Sequence, residues 1–268
     1  MRRFQCVLLA AVAVVGFASI ASAADMPVKA APMVAPVAAY SWTGFYLGIH
    51  AGGAWEMQND PNFSQTPAGA NTVFDPTSLG NVTQLGAVGG FQVGYNWQFA
   101  PTWVLGVEGD FSWANLNNSS TVPTLTSGGV PQVGHGVVMN SSLDWLSSAR
   151  GRLGYVANNT LWYVTGGGAW DQITYSGNIV ATSFNTRSIV VNQFNHTSSG
   201  WVAGGGVEYM ATPHVLLRLE YLYYGLSSGT SVTAPCPLCG PGALNGPGNF
   251  TWGNANIQVV RAGLGYKF

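Results

Sequence analysis

The sequence predicts an all-β fold: a closed, antiparallel, up-and-down barrel of eight strands that crosses a membrane. Three observations carry that expectation. Charged residues make up only 7% of the chain, against roughly 25% in soluble domains. Beyond the N-terminus there is no run of about 20 apolar residues, so spanning helices do not explain the scarcity of charge. Apolar residues recur instead on alternate positions in eight segments, the two-residue period of strands whose faces meet different surroundings.

The chain opens with Arg2 and Arg3, an apolar stretch over residues 7–20 and the small-residue site Ala21-Ser22-Ala23, the layout of a cleaved export signal over residues 1–23. Residues 24–39 interleave Pro with Ala and show no strand period, which suits an extended periplasmic linker. The barrel is expected over residues 40–268, in a Gram-negative outer membrane.

The first strand places Phe45, Leu47, Ile49 and Trp55 on one face, with Tyr46, Gly48 and His50 between them. The same period returns at Leu85, Phe91, Val93, Tyr95 and Trp97, then at Trp103, Leu105, Val107, Phe111 and Trp113. It continues through Trp145, Ala149, Leu153 and Tyr155, and more faintly over residues 161–171, where three glycines blur it. Trp201 to Tyr209, Val215 to Tyr223 and Val260 to Phe268 complete the set. Connections alternate between short turns at Pro101, Asn158-Asn159 and Pro213 and long segments at 56–83, 114–142, 172–199 and 225–252. Short periplasmic turns and long external loops are the pattern of an outer-membrane barrel, and an even strand number leaves both termini on the periplasmic side.

The charges choose between this and a soluble sandwich. By the alternation, Glu108, Asp110, Asp144, Arg150, Arg152, Asp171, Glu208, Arg218, Glu220, Arg261 and Lys267 all take the face opposite the large apolar residues. A sandwich would bury the apolar face and wet the charged one. In a bilayer the reverse holds, since a Lys or Arg turned to lipid at mid-membrane costs about 2–4 kcal/mol. Counted up from the short turns, Glu108, Asp110, Arg150, Arg152, Glu208, Arg218, Glu220 and Arg261 share roughly one level, with Asp144 nearer the outer rim. The expectation is a lumenal ion-pair network in an interior just wide enough for side chains to fill, with pairs such as Glu108 with Arg150 and Glu220 with Arg261.

Other chemistries find little support. The net charge of −1 becomes −3 once Arg2 and Arg3 leave, which disfavours nucleic acid. The histidines at 50, 135, 196 and 214 do not converge on an acid or a serine, so no catalytic site is expected. Cys236 and Cys239 form a lone CxxC with no second pair or paired His, which suits a local disulfide or two inert thiols better than redox or metal chemistry; no cofactor is implied. Residues 114–142 and 225–252 hold no Asp, Glu, Lys or Arg, so these two segments offer no charge steering, and Arg187 stands alone in the third loop. Binding of a host or phage surface ligand by exposed loops stays open.

Several stretches resemble the porin-like outer-membrane immunogenic proteins of alphaproteobacteria: residues 40–48 (YSWTGFYLG), 106–113 (GVEGDFSW), 150–155 (RGRLGY), 163–167 (YVTGG), 204–209 (GGGVEY) and 218–221 (RLEY). The resemblance spans the strands and fails in the loops, notably at Cys236/Cys239 and in the uncharged second loop. It implies a small OmpA-type barrel with an envelope-structural, surface-antigen role; the charged lumen and the exposed loops leave a narrow-channel porin and a loop-borne adhesin as alternatives. It also implies that the C-terminal residues Leu264, Tyr266 and Phe268 form the signal read by the outer-membrane assembly machinery, besides meeting membrane lipid.

Overall fold

The computed structural model describes residues 41–59, 61–67, 75–80, 82–132, 135–181, 190–234 and 245–268. The export signal, the linker and Cys236/Cys239 lie outside the described residues. The strands, in order, are β1 (Gly44–Gln58), β2 (Asn62–Pro67), β3 (Thr77–Ser78), β4 (Val82–Ala100), β5 (Trp103–Val122), β6 (Leu125–Ser127) and β7 (Val130–Gln132), then β8 (His135–Ala157), β9 (Thr160–Ala181), β10 (Val190–Thr212), β11 (Val215–Leu226), β12 (Thr230–Ala234), β13 (Asn245–Trp252) and β14 (Ala255–Lys267).

Eight of these form a ring in the order β1-β4-β5-β8-β9-β10-β11-β14, every neighbour antiparallel. β1 pairs with both β4 and β14, from Tyr46 opposite Lys267 on one side and Gly44 opposite Asn96 on the other, so the ring has no open edge. That closure leaves no row of unpaired backbone groups for lipid to solvate. Short turns join the strands at one end, Ala100 pairing with Trp103 and Ala157 with Thr160. Asn158 adopts a left-handed φ of 55° in the second of these, a conformation Asn tolerates better than most side chains.

The ring's outward surface is apolar. Leu85 is 77% exposed, and Phe45, Ile49, Val107, Val164 and Trp113 are exposed as well. Every Asp, Glu, Lys and Arg on the ring strands apart from Asp144 is buried. Trp55, Trp113, Trp145, Trp170 and Trp201 stand outward at the end remote from the short turns, while Trp97, Trp103, Tyr155, Tyr209 and Tyr266 do so near the turns. These two girdles bracket a hydrocarbon-facing band.

The strand count differs from the eight expected, because the long segments are themselves structured. β5, β8, β9 and β10 continue well past the upper girdle, and β2, β3, β12 and β13 form a separate four-stranded sheet, with β6 and β7 a small hairpin. The physical reason is that above the membrane an outward face meets water. Neutral polar side chains then replace apolar ones, and the hydropathy period that marks a strand disappears while the backbone ladder goes on.

Candidate functional site

The inward faces of β5, β8, β10, β11 and β14 bring Glu108, Asp110, Arg150, Arg152, Glu208, Arg218, Glu220 and Arg261 together, four acids against four bases. Arg150 reaches Glu108 at 2.5 Å, Asp110 at 3.0 Å and Glu220 at 3.0 Å. Arg152 binds Glu208 at 2.6 Å and Glu108 at 3.3 Å. Arg218 bridges Glu108, at 2.6 Å, and Glu208, and Arg261 holds Glu220 at 2.7 Å and Asp110 at 3.2 Å. No side chain in the set is more than 4% exposed. Each charge thus has several opposite neighbours, which is what allows charges to be buried at all.

Two tyrosines complete the layer, and the sequence reading did not single them out. Tyr46 donates to Glu108 at 2.5 Å and Tyr163 to Glu220 at 3.0 Å, while the Arg152 guanidinium lies 4.5 Å from the Tyr163 ring centre. The hydroxyl end of each ring lies close over a neighbouring glycine. A Cβ on Gly94 would come within 2.3 Å of the Tyr46 hydroxyl, and one on Gly206 within 2.8 Å of that of Tyr163. Their signal was present in the alternation, which puts both rings on the charged face. On the same level His50 bonds Gln92 at 2.5 Å and Ser112 at 2.8 Å and meets Arg261 at 3.2 Å.

The layer is enclosed from both ends. Toward the short turns, Trp42, Tyr46, Val104, Leu161, Tyr163, Met210 and Leu216 form one buried apolar cluster. Toward the outside, inward residues turn apolar: Leu222, Tyr224 and Leu226 follow Glu220 on β11, and Val259, Ile257 and Ala255 precede Arg261 on β14. Phe63 of β2 and Phe250 and Trp252 of β13 join that second cluster, with ring centres of Phe63 and Phe250 5.0 Å apart and those of Tyr175 and Trp252 also 5.0 Å apart. The external four-stranded sheet therefore packs its aromatic residues onto the inward-facing side chains of the ring. At the edge of this cluster Glu56 is fully buried, and both its carboxylate oxygens are without a hydrogen-bond partner.

Asp144 does not belong to the network. The ladder shifts register between Leu143 and Trp145, so the extra residue leaves the inward series. Its carboxylate accepts a bond from the Thr174 hydroxyl at 2.7 Å, beside the upper girdle. A bulge of this kind re-aims one side chain, and counting back from Arg150 by twos has no means of detecting it. Leu264, Tyr266 and Phe268 face outward at the lower end of β14, all about half exposed or more, with the Tyr266 and Phe268 rings in edge contact at 5.2 Å.

The family comparison agrees with this architecture. The family described as "Outer membrane protein beta-barrel domain" matches residues 10–268. The chain is 34% identical over 269 residues to the 31 kDa outer-membrane immunogenic protein of Brucella melitensis biotype 1, covering 98% of this chain and 100% of that one. It is 31% identical over 197 residues to the 22 kDa outer membrane protein of Rhizobium leguminosarum bv. viciae, covering 71% and 70% of the two. Among solved structures, the outer membrane protein OprG from Pseudomonas aeruginosa aligns at 17% identity with a TM-score of 0.41, over 84% of this chain and 96% of that one.

Proposed function

Since this chain belongs to the outer-membrane β-barrel family and resides in the outer membrane, we propose that it is a closed, non-conducting, non-enzymatic barrel that supports the envelope and displays its external sheets as surface antigen. The observation that carries this reading is the filling of the lumen in series: an apolar cluster, the neutralised ion-pair layer, then a second apolar cluster joined by Phe63, Phe250 and Trp252. An eight-stranded ring leaves room for side chains and little else. The relatives carry the words outer-membrane immunogenic protein in their names, which supports the surface-antigen part. Placement of the histidines supports the absence of catalysis. His50 does meet a serine, contrary to the sequence expectation, at 2.8 Å from the Ser112 hydroxyl, but both side chains are buried in the ion layer, 5% and 3% exposed, between the two apolar clusters; His214 bonds the Lys267 carbonyl near the short turns.

The test is single-channel recording of the refolded chain in planar bilayers, alongside Glu108→Gln and Arg150→Gln, with folding checked by heat-modifiable gel mobility. The expected result is a folded barrel without discrete current steps. Steps in the parent whose size changes in the two variants would replace this reading with that of a narrow channel lined by the charged layer.

A further inference from the structure

Above the upper tryptophan girdle, the outward faces of β5, β8, β9 and β10 carry neutral polar side chains arranged in rows. Asn117 stands opposite Ser142, Ser142 opposite Thr174, and Thr174 opposite Asn195. One step further out, Ser119 faces Asn140 and Asn140 faces Ser176. These rows border a cleft of about 350 Å³ whose described lining consists wholly of Asn, Gln, Ser and Thr. Two lining residues turn inward, Asn118 and Ser141, directly opposed and only 4% and 3% exposed. Three ladder shifts surround the place, at Trp113/Leu116, Leu143/Trp145 and Val191/Phe194, and bulges gather where strands re-aim side chains for a purpose.

We propose that this cleft is a saccharide-binding site. A side-chain amide offers a donor and an acceptor in one fixed plane, and a hydroxyl offers both on a rotor; neighbouring sugar hydroxyls present the complementary set. Phosphate or sulfate would need cations, and no Lys or Arg lines the cleft among the described residues. An acyl chain would need an apolar lining, which is absent there. Trp145 stands at the foot of the rows at the lipid boundary, its indole N–H bonded to Gln172 at 3.1 Å and its ring stacked on Phe111 at 5.7 Å. Such a height suits the sugar portion of an outer-leaflet glycolipid of the same membrane as well as a glycan arriving from outside; the recognition chemistry is the same. This inference does not depend on whether the barrel conducts.

The test uses the folded chain in detergent micelles and two probes: a phosphate-free core oligosaccharide released from rough-type lipopolysaccharide, and maltoheptaose as a lipid-unrelated neutral glucan. Binding is followed by saturation-transfer NMR and calorimetry for the parent and for the Asn140→Leu/Ser142→Leu double variant, with gel mobility as the folding check. Should the double variant not fold, Ser119→Arg, at an exposed position, takes its place. The expected result is parent binding weakened at least about tenfold in the variant. If the core oligosaccharide binds, the source is the cell's own glycolipid; if only maltoheptaose binds, the source is external. Binding of neither probe at millimolar concentration, or binding that the variants leave unchanged, overturns the proposal.

Discussion

Along a single strand, the membrane band and the external extension sort their side chains in opposite directions. In the band, β5 turns Val107, Phe111 and Trp113 outward and Glu108 and Asp110 inward; beyond the girdle it turns Asn117 and Ser119 outward and Leu116 inward. β9 repeats the change, with Trp162, Val164 and Trp170 outward and Asp171 inward, then Thr174 and Ser176 outward and Ile173, Tyr175 and Ile179 inward. The backbone ladder is continuous through both halves. What changes is the medium outside, lipid below and water above, and each face follows its own medium. The lumen is layered by height too, with charged side chains at mid-band, apolar ones below them near the short turns, and apolar ones above where the external sheet supplies aromatic partners. Polarity in this protein is set by height as much as by side of the wall.

That contrast can be broken most forcefully in the band. Glu108 touches Arg150, Arg152 and Arg218 and accepts from Tyr46. Glu108→Gln keeps the shape and removes the charge, leaving three guanidinium groups short of one partner in a dry interior. The expected cost is about 3–5 kcal/mol, measured as a shift of the urea midpoint in lipid vesicles by gel mobility. Asn117→Ala, on the outward face of the extension, is expected to change stability by less than about 0.5 kcal/mol. Equal losses for the two would mean that both regions are held by the same kind of interaction, and the comparison would fail.

Glu56 tests the boundary between the regions. It is an acid at the height of Trp55, turned into an apolar cluster and lacking any hydrogen-bond partner, with the Asp171 carboxylate near enough to repel it. Neither half of the sorting rule places a carboxylate there. Glu56→Leu is therefore expected to raise stability by about 1–3 kcal/mol, the penalty for an unpaired buried polar group. A loss of stability in the same urea assay would show that the carboxylate has a partner other than a protein group.

How far the sequence reveals this arrangement also depends on height. Below the girdle, lipid imposes a strong two-residue period, so Phe45, Leu47 and Ile49 mark β1 and the burial of Glu108 or Arg218 follows from parity alone. Above it, the stretch Asn117-Asn118-Ser119-Ser120 alternates exposed and buried as strictly as any strand, yet shows no alternation in hydropathy. A strand there looks like a loop. Which acid meets which base is set by the stagger between strands, and a single bulge before Trp145 is enough to move Asp144 out of the lumenal series. Tyr46 and Tyr163 join the charged layer because Gly94 and Gly206 leave space beside them on adjacent strands, a relation visible only once the register is known. The external sheet is harder still, since β2 and β13 are joined by Phe63 opposite Phe250 across almost the whole chain.

The smallest expected effect lies at the top of the extension, where a contact holds two external segments together without burial. The β6–β7 hairpin turns through Gly128 and Gly129, whose φ values of 56° and 78° are left-handed and suit glycine at both central positions of a tight turn. That conformation aims both backbone N–H groups at Asp75, with Gly128 donating to one carboxylate oxygen at 3.0 Å and Gly129 to the other at 2.9 Å. The Gly129 N–H, helped by Thr126 and then by Gly128, holds the Asp75 carboxyl below its ordinary value of 3.8. For a carboxyl depressed on folding, the contribution is present above the unfolded value and is lost as pH falls through the folded one. The latch is thus closed at neutral pH and opens only in acid. The amide resonances of Gly128 and Gly129, followed by NMR in micelles, are expected to move together with a midpoint below 3.8, and to lose that midpoint in Asp75→Asn. A common midpoint at or above 3.8 would mean that the two N–H groups favour the carboxylate no more than water does, and that the hairpin is held to this segment by the bond from the Asp75 backbone N–H to the Thr126 carbonyl at 2.8 Å instead.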